Sequence, residues 1–215
     1  MALPAKALRA PVLPKHLEPL SITRLAPTDS IEQCRIEDCA LAEAVAERVR
    51  FDGVRLVGGT LGASKLTHIS WLDVACERCD LSMIVWPSAK LTRVEVRGSR
   101  MTGAKLVEGS FESVRFVDCH LDYALFSDTR FRQVTFESCR LEEADFRGAD
   151  LTGTTFVNCE LRGADFARAK LQGADVSSSR CNDIRIAPGD VRGLAVSRDQ
   201  AVALAKLFGL VVRDG

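Results

Sequence analysis

The chain has 215 residues, with 29 basic and 29 acidic side chains and 47% hydrophobic residues. This length is typical of one domain, and the balanced charge argues against direct binding to nucleic acid or to a membrane surface. The sequence has no apolar run long enough for a bilayer span or a secretion signal, so we expect a cytoplasmic protein.

Residues 1–30 predict an irregular N-terminal leader or cap, because prolines interrupt any regular element. Five of the seven prolines of the chain lie here: Pro4, Pro11, Pro14, Pro19 and Pro27. Ile22 and Leu25 are expected to cover the structure that follows.

A five-residue register begins at Ile31 and continues to Val191. Every fifth residue in this range is apolar or a cysteine, and the residue two before it is small or β-branched. These two columns hold 65 residues and no charge, whereas the other three columns carry 46 charges between residues 31 and 190. A period of five fits neither a helix nor a strand. It indicates a chain that turns a corner every five residues, with both uncharged columns inside.

Four such corners make a square coil of twenty residues, so residues 31–191 predict a solenoid of about eight coils. Residues twenty apart should then resemble one another, and they do. One inward column is Val54, Val74, Val94, Val114 and Val134. Phenylalanines form two predicted stacks: Phe116, Phe136 and Phe156 on one side, and Phe126, Phe146 and Phe166 on another.

The segments Ala144–Gly148 and Ala149–Gly153 read Ala-Asp-Phe-Arg-Gly and Ala-Asp-Leu-Thr-Gly. They resemble the repeat unit of the pentapeptide repeat family, and the resemblance extends over residues 31–191. It implies an all-β fold, a right-handed quadrilateral β-helix. Gly148, Gly153 and the equivalent Gly163 and Gly173 are expected at turns that need positive φ.

Eight cysteines suggest either disulfides or a metal site, and Cys76 and Cys79 have a metal-ligand spacing. The register favours a third interpretation, because all eight occupy inward positions and would be small apolar filler. One column holds Cys39, Cys79, Cys119, Cys139 and Cys159. Neighbouring rungs of that column would still be close enough for a disulfide.

The sequence predicts no catalytic, cofactor-binding or metal-binding residue, and hence no enzyme. His16 precedes the solenoid, and His68 and His120 lie in different outward columns. Cys119 points inward where His120 points outward, so they cannot form a nucleophile–base pair.

Residues 192–215 predict a C-terminal helix and short strand that act as a cap or a dimerisation element. Ser197 and Gln200 have capping-box spacing, and Gly209 is a natural C-cap. Leu210–Val212 is expected as the strand. The candidate cap or dimer residues are Ala201, Leu204, Ala205, Phe208 and Leu210. The tail resembles the C-termini of quinolone-resistance pentapeptide proteins of the mycobacterial type, which implies a homodimer.

Two functions fit these patterns. The first is a non-enzymatic protein-interaction solenoid with an unidentified partner. The second, implied by the resemblance, is a DNA-mimicking modulator of DNA gyrase or another type II topoisomerase. Residues 111–190 carry 14 acidic and 10 basic residues. The candidate acidic interaction corner is Asp122, Glu142, Glu143, Asp145, Asp165 and Asp183.

Overall fold

The computed structural model describes residues 8–213, which form short parallel strands followed by one helix. The strands are β1 (Glu18–Pro19), β2 (Ser30–Glu32), β3 (Cys34–Glu37), β4 (Val45–Glu47), β5 (Arg50–Val57), β6 (Lys65–Thr67), β7 (Ser70–Glu77), β8 (Lys90–Arg97), β9 (Ser110–Val117), β10 (Arg130–Glu137) and β11 (Thr155–Val157). The helix is α1 (Arg198–Leu207). Nowhere in residues 8–213 does a helix have the length and apolar character needed to cross a bilayer.

The backbone pairs in parallel with itself at an offset of twenty residues. Phe51 lies opposite Trp71, and Trp71 lies opposite Leu91. Where no extended strand forms, single bridges keep the same offset, as between Asp145 and Asp165. The chain therefore winds into a parallel β-solenoid, and the predicted twenty-residue coil is confirmed.

Each corner is made by one residue with left-handed backbone conformation, two positions after the central inward residue. This conformation recurs every five residues without a gap from Gln33 to Gly173, and it includes the four predicted glycines at φ between 68° and 72°. It is absent at Ser178. It is also absent at Pro188, because the proline ring fixes a negative φ. The regular solenoid consequently has about seven turns, not the predicted eight.

The corners divide each coil into four faces, each named by its central inward residue. In the coil from residue 111 these are Phe111 on face 1, Phe116 on face 2, Leu121 on face 3 and Phe126 on face 4, and all four are buried. Both predicted phenylalanine stacks are confirmed. Phe116, Phe136 and Phe156 stack at 5.0 Å between centroids, and Phe126, Phe146 and Phe166 at 5.2 Å.

The two stacks meet edge to face across the interior, with Phe146 and Phe156 5.7 Å apart and 84° inclined. Offset stacking along the axis and T-shaped contact across it are both favourable aromatic geometries. Earlier coils fill the same volume differently. Trp71 and Trp86 lie 5.2 Å apart in the coil that has the small Cys76 at a central position, so packing density is maintained.

The leader runs back along the rod, toward its first coil. The Val12 N–H donates to Asp73 Oδ1 (2.8 Å) in the third coil, and Pro14 passes Gly53 in the second. Glu18–Pro19 then pairs with Cys34–Arg35 in the first coil. Leu25 is buried against that coil.

Helix α1 lies over the last coil. The predicted capping box is present: Gln200 N donates to Ser197 Oγ (3.3 Å), and Ser197 N donates to Gln200 Oε1 (2.8 Å). Gln200 Nε2 also donates to the carbonyls of Val176 (2.9 Å) and Ser179 (2.6 Å), which closes open backbone groups of the solenoid. The short strand predicted at 210–212 does not form. This segment has no neighbouring strand to pair with among residues 8–213, and Leu210 and Val211 are exposed.

Candidate interaction surfaces

The acidic corner is brought together along one edge of the rod, but arginines pair with most of it. The pairs are Asp122 with Arg140 (3.0 Å), Glu142 with Arg162 (2.7 Å), Glu143 and Asp165 with Arg185 (3.1 and 3.2 Å), and Asp145 with Arg147 (2.6 Å). Within residues 8–213, Asp183 is the member without an ion pair. The corner is therefore an alternation of charges, not a continuous negative stripe.

Two of these carboxylates are buried, although the register assigns them to the surface. Asp122 is 7% exposed and Asp145 is 8% exposed. Burial raises the pKa of Asp145, but hydrogen bonds from the Arg147 guanidinium and backbone N–H outweigh it and hold the pKa below its usual value. The hydrogen bond from Arg162 likewise lowers the pKa of Glu142. Asp145 and Glu142 therefore stay ionised, with their charge offset locally.

The outer side of face 2 has the same organisation. Arg55 bridges to Glu77 (2.6 Å), and Arg115 reaches both Glu95 (3.7 Å) and Glu137. Because a coil advances by about 4.8 Å, an arginine side chain easily spans to the next coil. Such exposed pairs each contribute roughly 0–1 kcal/mol to stability, so their main effect is to neutralise the surface.

The cysteines lie inside the rod. Seven are buried, and Cys181 is only half-buried because the last coil is open. Cys119 Sγ donates to the carbonyl of Val117 (3.3 Å), and Cys159 Sγ to that of Phe136 (3.4 Å). Hydrogen bonds with Cys119 and Cys159, together with burial, raise the pKa of Cys139 well above its ordinary value. A buried thiol with a raised pKa is a poor nucleophile.

The thiols also have a backbone role that the apolar-filler interpretation misses. The Cys119 backbone N–H acts on the Cys139 sulfur and partly opposes the rise in the pKa of Cys139. Serine does the same in this column, where Cys79 N donates to Ser99 Oγ (3.1 Å) and Cys159 N to Ser179 Oγ (3.0 Å). A buried N–H must find an acceptor, and this column supplies one. Mixing of Cys and Ser at one position is the sequence signal for it.

The histidines and the Cys-x-x-Cys pair do not form a site. His16, His68 and His120 are exposed and lie on separate parts of the surface. The hydrogen bond that the Cys76 thiol donates to Cys79, followed by burial, raises the pKa of Cys76, which points into the core. Within residues 8–213 there is no cluster of three metal-ligating side chains.

The five candidate cap or dimer residues all line one shallow cleft of about 330 Å³ between α1 and the end of the rod, together with Val191, Leu194 and Val196. A second cleft of about 570 Å³ opens on the other side of α1, between Leu207 and Ile184. Leu207 and Leu210 are more than half exposed. The helix thus covers the last coil incompletely and leaves apolar surface at this end.

Two features of the surface have no counterpart among the sequence-based predictions. One is Asp73, a buried corner residue that holds the leader and accepts from Arg93 Nε and Nη2 (2.6 and 2.5 Å). Its partner Val12 lies in a segment without a repeat, so no periodic signal exists. The other is the exposure of Met83 and Tyr123 on the corner between faces 3 and 4. The signal there is apolar residues in otherwise charged outward columns.

The fold and its buried columns define a class of protein: a parallel β-solenoid whose interior is filled and whose outward residues differ from coil to coil. Residues 89–166 match the family model described as a pentapeptide repeat region. The same register extends on both sides of this match, from residue 31 to residue 191. The chain therefore contains a pentapeptide repeat region.

Similarity to solved structures is low. Full-length QnrB1, a plasmid-mediated fluoroquinolone resistance protein, aligns at 17% identity over 86% of this chain and 99% of its own, with a TM-score of 0.42. HetL of the cyanobacterium Nostoc, involved in heterocyst differentiation regulation, aligns at 15% identity over 82% and 92%, with a TM-score of 0.24. The sequence matched no curated protein. Similarity at this level assigns neither a partner nor an activity to this chain.

Proposed function

We propose that the protein is a non-enzymatic interaction rod that binds a protein partner through its outer faces. The supporting observation is that the interior is filled by stacked side chains, with Phe126, Phe136 and Phe146 all fully buried. Three clefts found in residues 8–213 lie on the outside or at the C-terminal end. Recognition must therefore use the faces, the corners and the ends.

The charge density favours a protein partner over duplex mimicry. Duplex DNA carries one charge per about 1.7 Å, so a rod that advances about 4.8 Å per coil needs roughly three net negative charges per coil to match it. Residues 111–190 make four coils with 14 acidic and 10 basic residues, a net of one per coil. The pairing of Asp122, Glu142 and Asp145 with arginines reduces the field further.

The alternative function, modulation of DNA gyrase, has a direct test. Supercoiling by gyrase is assayed with and without a quinolone, at micromolar concentrations of the full chain. We expect no protection and no inhibition. A dose-dependent effect that is lost in Glu142→Gln/Asp183→Asn but kept in Glu77→Gln, on face 2, would support duplex mimicry instead.

A homodimer through the C-terminal end is part of the proposal, supported by the apolar clefts beside α1. We expect the full chain to scatter light as a dimer, and Phe208→Glu or truncation after Val196 to give monomers. Arg213→Glu, in the same tail but outside the clefts, is the matched control. A monomeric full chain at micromolar concentration would remove this part of the proposal.

The interaction function itself is tested by photo-cross-linking in the organism's own cells. A photoreactive side chain is placed on one face at a time, at Arg132, Val157, Arg140 or Lys105, all outward residues. We expect an adduct of one defined mass from at least one face and none without irradiation. The absence of adducts from all four faces would contradict the proposal.

A further inference from the structure

Exposed apolar side chains on the rod are concentrated on one side. In residues 31–191 the exposed large hydrophobic residues are Val45 (70%), Met83 (56%), Tyr123 (60%) and Val157 (37%). Val45 lies on face 4, and Met83 and Tyr123 lie on the corner between faces 3 and 4. Contiguous apolar surface on a soluble protein marks an interaction site, whereas single exposed residues do not.

Val45 begins a continuous outward row on face 4 that alternates apolar and basic residues. The row is Val45, Lys65, Val85, Lys105 and Leu125, joined in this order by parallel bridges between successive coils. We call these five residues, with Met83 and Tyr123 beside them, the lysine–apolar row. The side chains point away from the core, so the core does not explain their apolar character.

The corner beside the row is arranged to present Met83. A Cβ atom on Gly103 would come within 2.5 Å of Met83 Sδ, so the Met83 side chain lies over this glycine, toward Tyr123. Methionine and tyrosine are enriched in protein interfaces, and tyrosine is a frequent hot spot. The chain has a single tyrosine, and it is at this place.

The charges of the row are not offset, in contrast to the acidic corner. Lys65 and Lys105 have no ion pair among residues 8–213, and Asp145, which follows Leu125 in the next coil, is paired with Arg147. Acidic residues flank the row: Glu108 and Asp128 lie on the opposite corner of face 4, and Glu43 and Glu143 lie on the Met83–Tyr123 corner, one coil before Lys65 and two coils beyond Lys105. The two lysines are two coils apart, about 10 Å.

We propose that the lysine–apolar row is a docking surface for a protein segment that carries apolar side chains alternating with carboxylates. Carboxylates about 10 Å apart would meet the two lysines, and the apolar side chains between them would cover Val85, Met83 and Tyr123. This inference rests on the proposed function and assigns the partner's chemistry. The charges of the docked segment determine its orientation on the row, and its apolar contacts provide most of the affinity.

The test uses methyl NMR of the full chain labelled on methionine. Met83 reports on the row, and Met101, only 2% exposed, reports on the core. The probe is a soluble helical peptide with glutamates seven residues apart, about 10 Å, and leucines between them on the same face; the control peptides carry glutamine or lysine in place of glutamate. We expect a saturable shift of the Met83 methyl with the glutamate peptide alone, while Met101 is unchanged.

Variants separate the contributions. We expect Lys65→Gln/Lys105→Gln to weaken binding roughly tenfold, as two ion pairs allow, and Tyr123→Ser to weaken it more. Lys90→Gln, on face 1, is the matched control and should bind normally. An unshifted Met83 methyl, or equal binding of the glutamine or lysine peptide, would overturn the proposal. An unchanged Met101 signal shows that each variant is folded.

The failure of this inference is distinguishable from the failure of the proposed function. A photoreactive side chain at Tyr123 extends the cross-linking panel. If adducts form from Arg132 or Val157 and none from Tyr123 or Lys105, the rod binds a partner elsewhere and the docking row is wrong. If no position gives an adduct, the interaction function fails as well.

Discussion

Thr129 and Thr154 occupy equivalent inward positions on adjacent faces, and both are fully buried. Their hydroxyls differ in what they contact. Thr129 Oγ1 donates to the Leu106 carbonyl (2.8 Å) and accepts from Gly109 N (3.2 Å). Thr154 Oγ1 has no hydrogen-bond partner. Replacement of each threonine by the isosteric valine therefore removes a satisfied hydroxyl in one case and an unsatisfied one in the other.

The expected effects have opposite signs. Thr129→Val leaves the buried Gly109 N–H without an acceptor, which costs about 1–3 kcal/mol of unfolding free energy. Thr154→Val removes a buried polar group without a partner, which should stabilise by about 1–3 kcal/mol. Valine fits there, because the equivalent residue of the preceding coil is Val134, also buried. The two variants should differ by roughly 2–6 kcal/mol in total.

Urea unfolding followed by far-ultraviolet circular dichroism measures this difference. We expect the midpoint to fall for Thr129→Val and to rise for Thr154→Val, with similar slopes. Equal shifts of the same sign, or a larger loss in Thr154→Val, would refute the hydrogen-bond accounting. A changed slope would indicate a change in the surface exposed on unfolding or a loss of two-state unfolding.

Three further predictions concern a corner, an ion pair and a cap. At Gly153 (φ 71°) an added Cβ meets no atom within 4 Å, so Gly153→Ala should cost only the left-handed strain, about 1 kcal/mol in urea unfolding. The native pKa of Asp145 is lowered, so its ionised form stabilises the fold fully above about pH 4. This contribution to the free energy of unfolding is lost as the pH falls through the native pKa. Asp145→Asn should therefore make the free energy of unfolding decline less steeply at acid pH. Gln200→Glu keeps the acceptor for Ser197 N but loses both donations to solenoid carbonyls, so hydrogen exchange of α1 should accelerate.

Each of these has a contrary outcome. Gly189 is also in open space but has no positive φ, so Gly189→Ala should be neutral or mildly stabilising; the same loss as at Gly153 would argue against strain. If the free energy of unfolding declines as steeply at acid pH in Asp145→Asn as in the native chain, other carboxylates cause that decline. Unchanged exchange of α1 in Gln200→Glu would mean that apolar contacts alone hold the helix.

Periodicity made most of the fold predictable from sequence. The inward columns are visible because a buried position excludes charge, and this one constraint located the phenylalanine stacks and the corner glycines. The constraint weakens where the coil opens: Cys181 and Ile186 keep the register but are only half-buried, so the predicted number of coils was one too high.

The surface was less predictable, because the period places a residue in a column without orienting its side chain. The acidic corner was identified as a column, but its burial and pairing depend on how arginines such as Arg140 and Arg147 reach across. The leader has no repeat, so its contact with Asp73 had no counterpart in the pattern. The proposed partner surface likewise depended on the exposure of Met83 and Tyr123 in the folded structure.

The reversed course of the leader makes the rod mechanically asymmetric. Tension on the N-terminus is carried first by the Val12–Asp73 bond in the third coil and by the pairing of Glu18 with Cys34, before the first coil is loaded. Tension on the C-terminus first breaks the contacts of α1. It then acts on the last coils, which can unwind one at a time. Each coil of twenty residues releases about 70 Å of chain. A processive unfoldase should therefore dismantle this protein more easily from its C-terminal end, in regular steps.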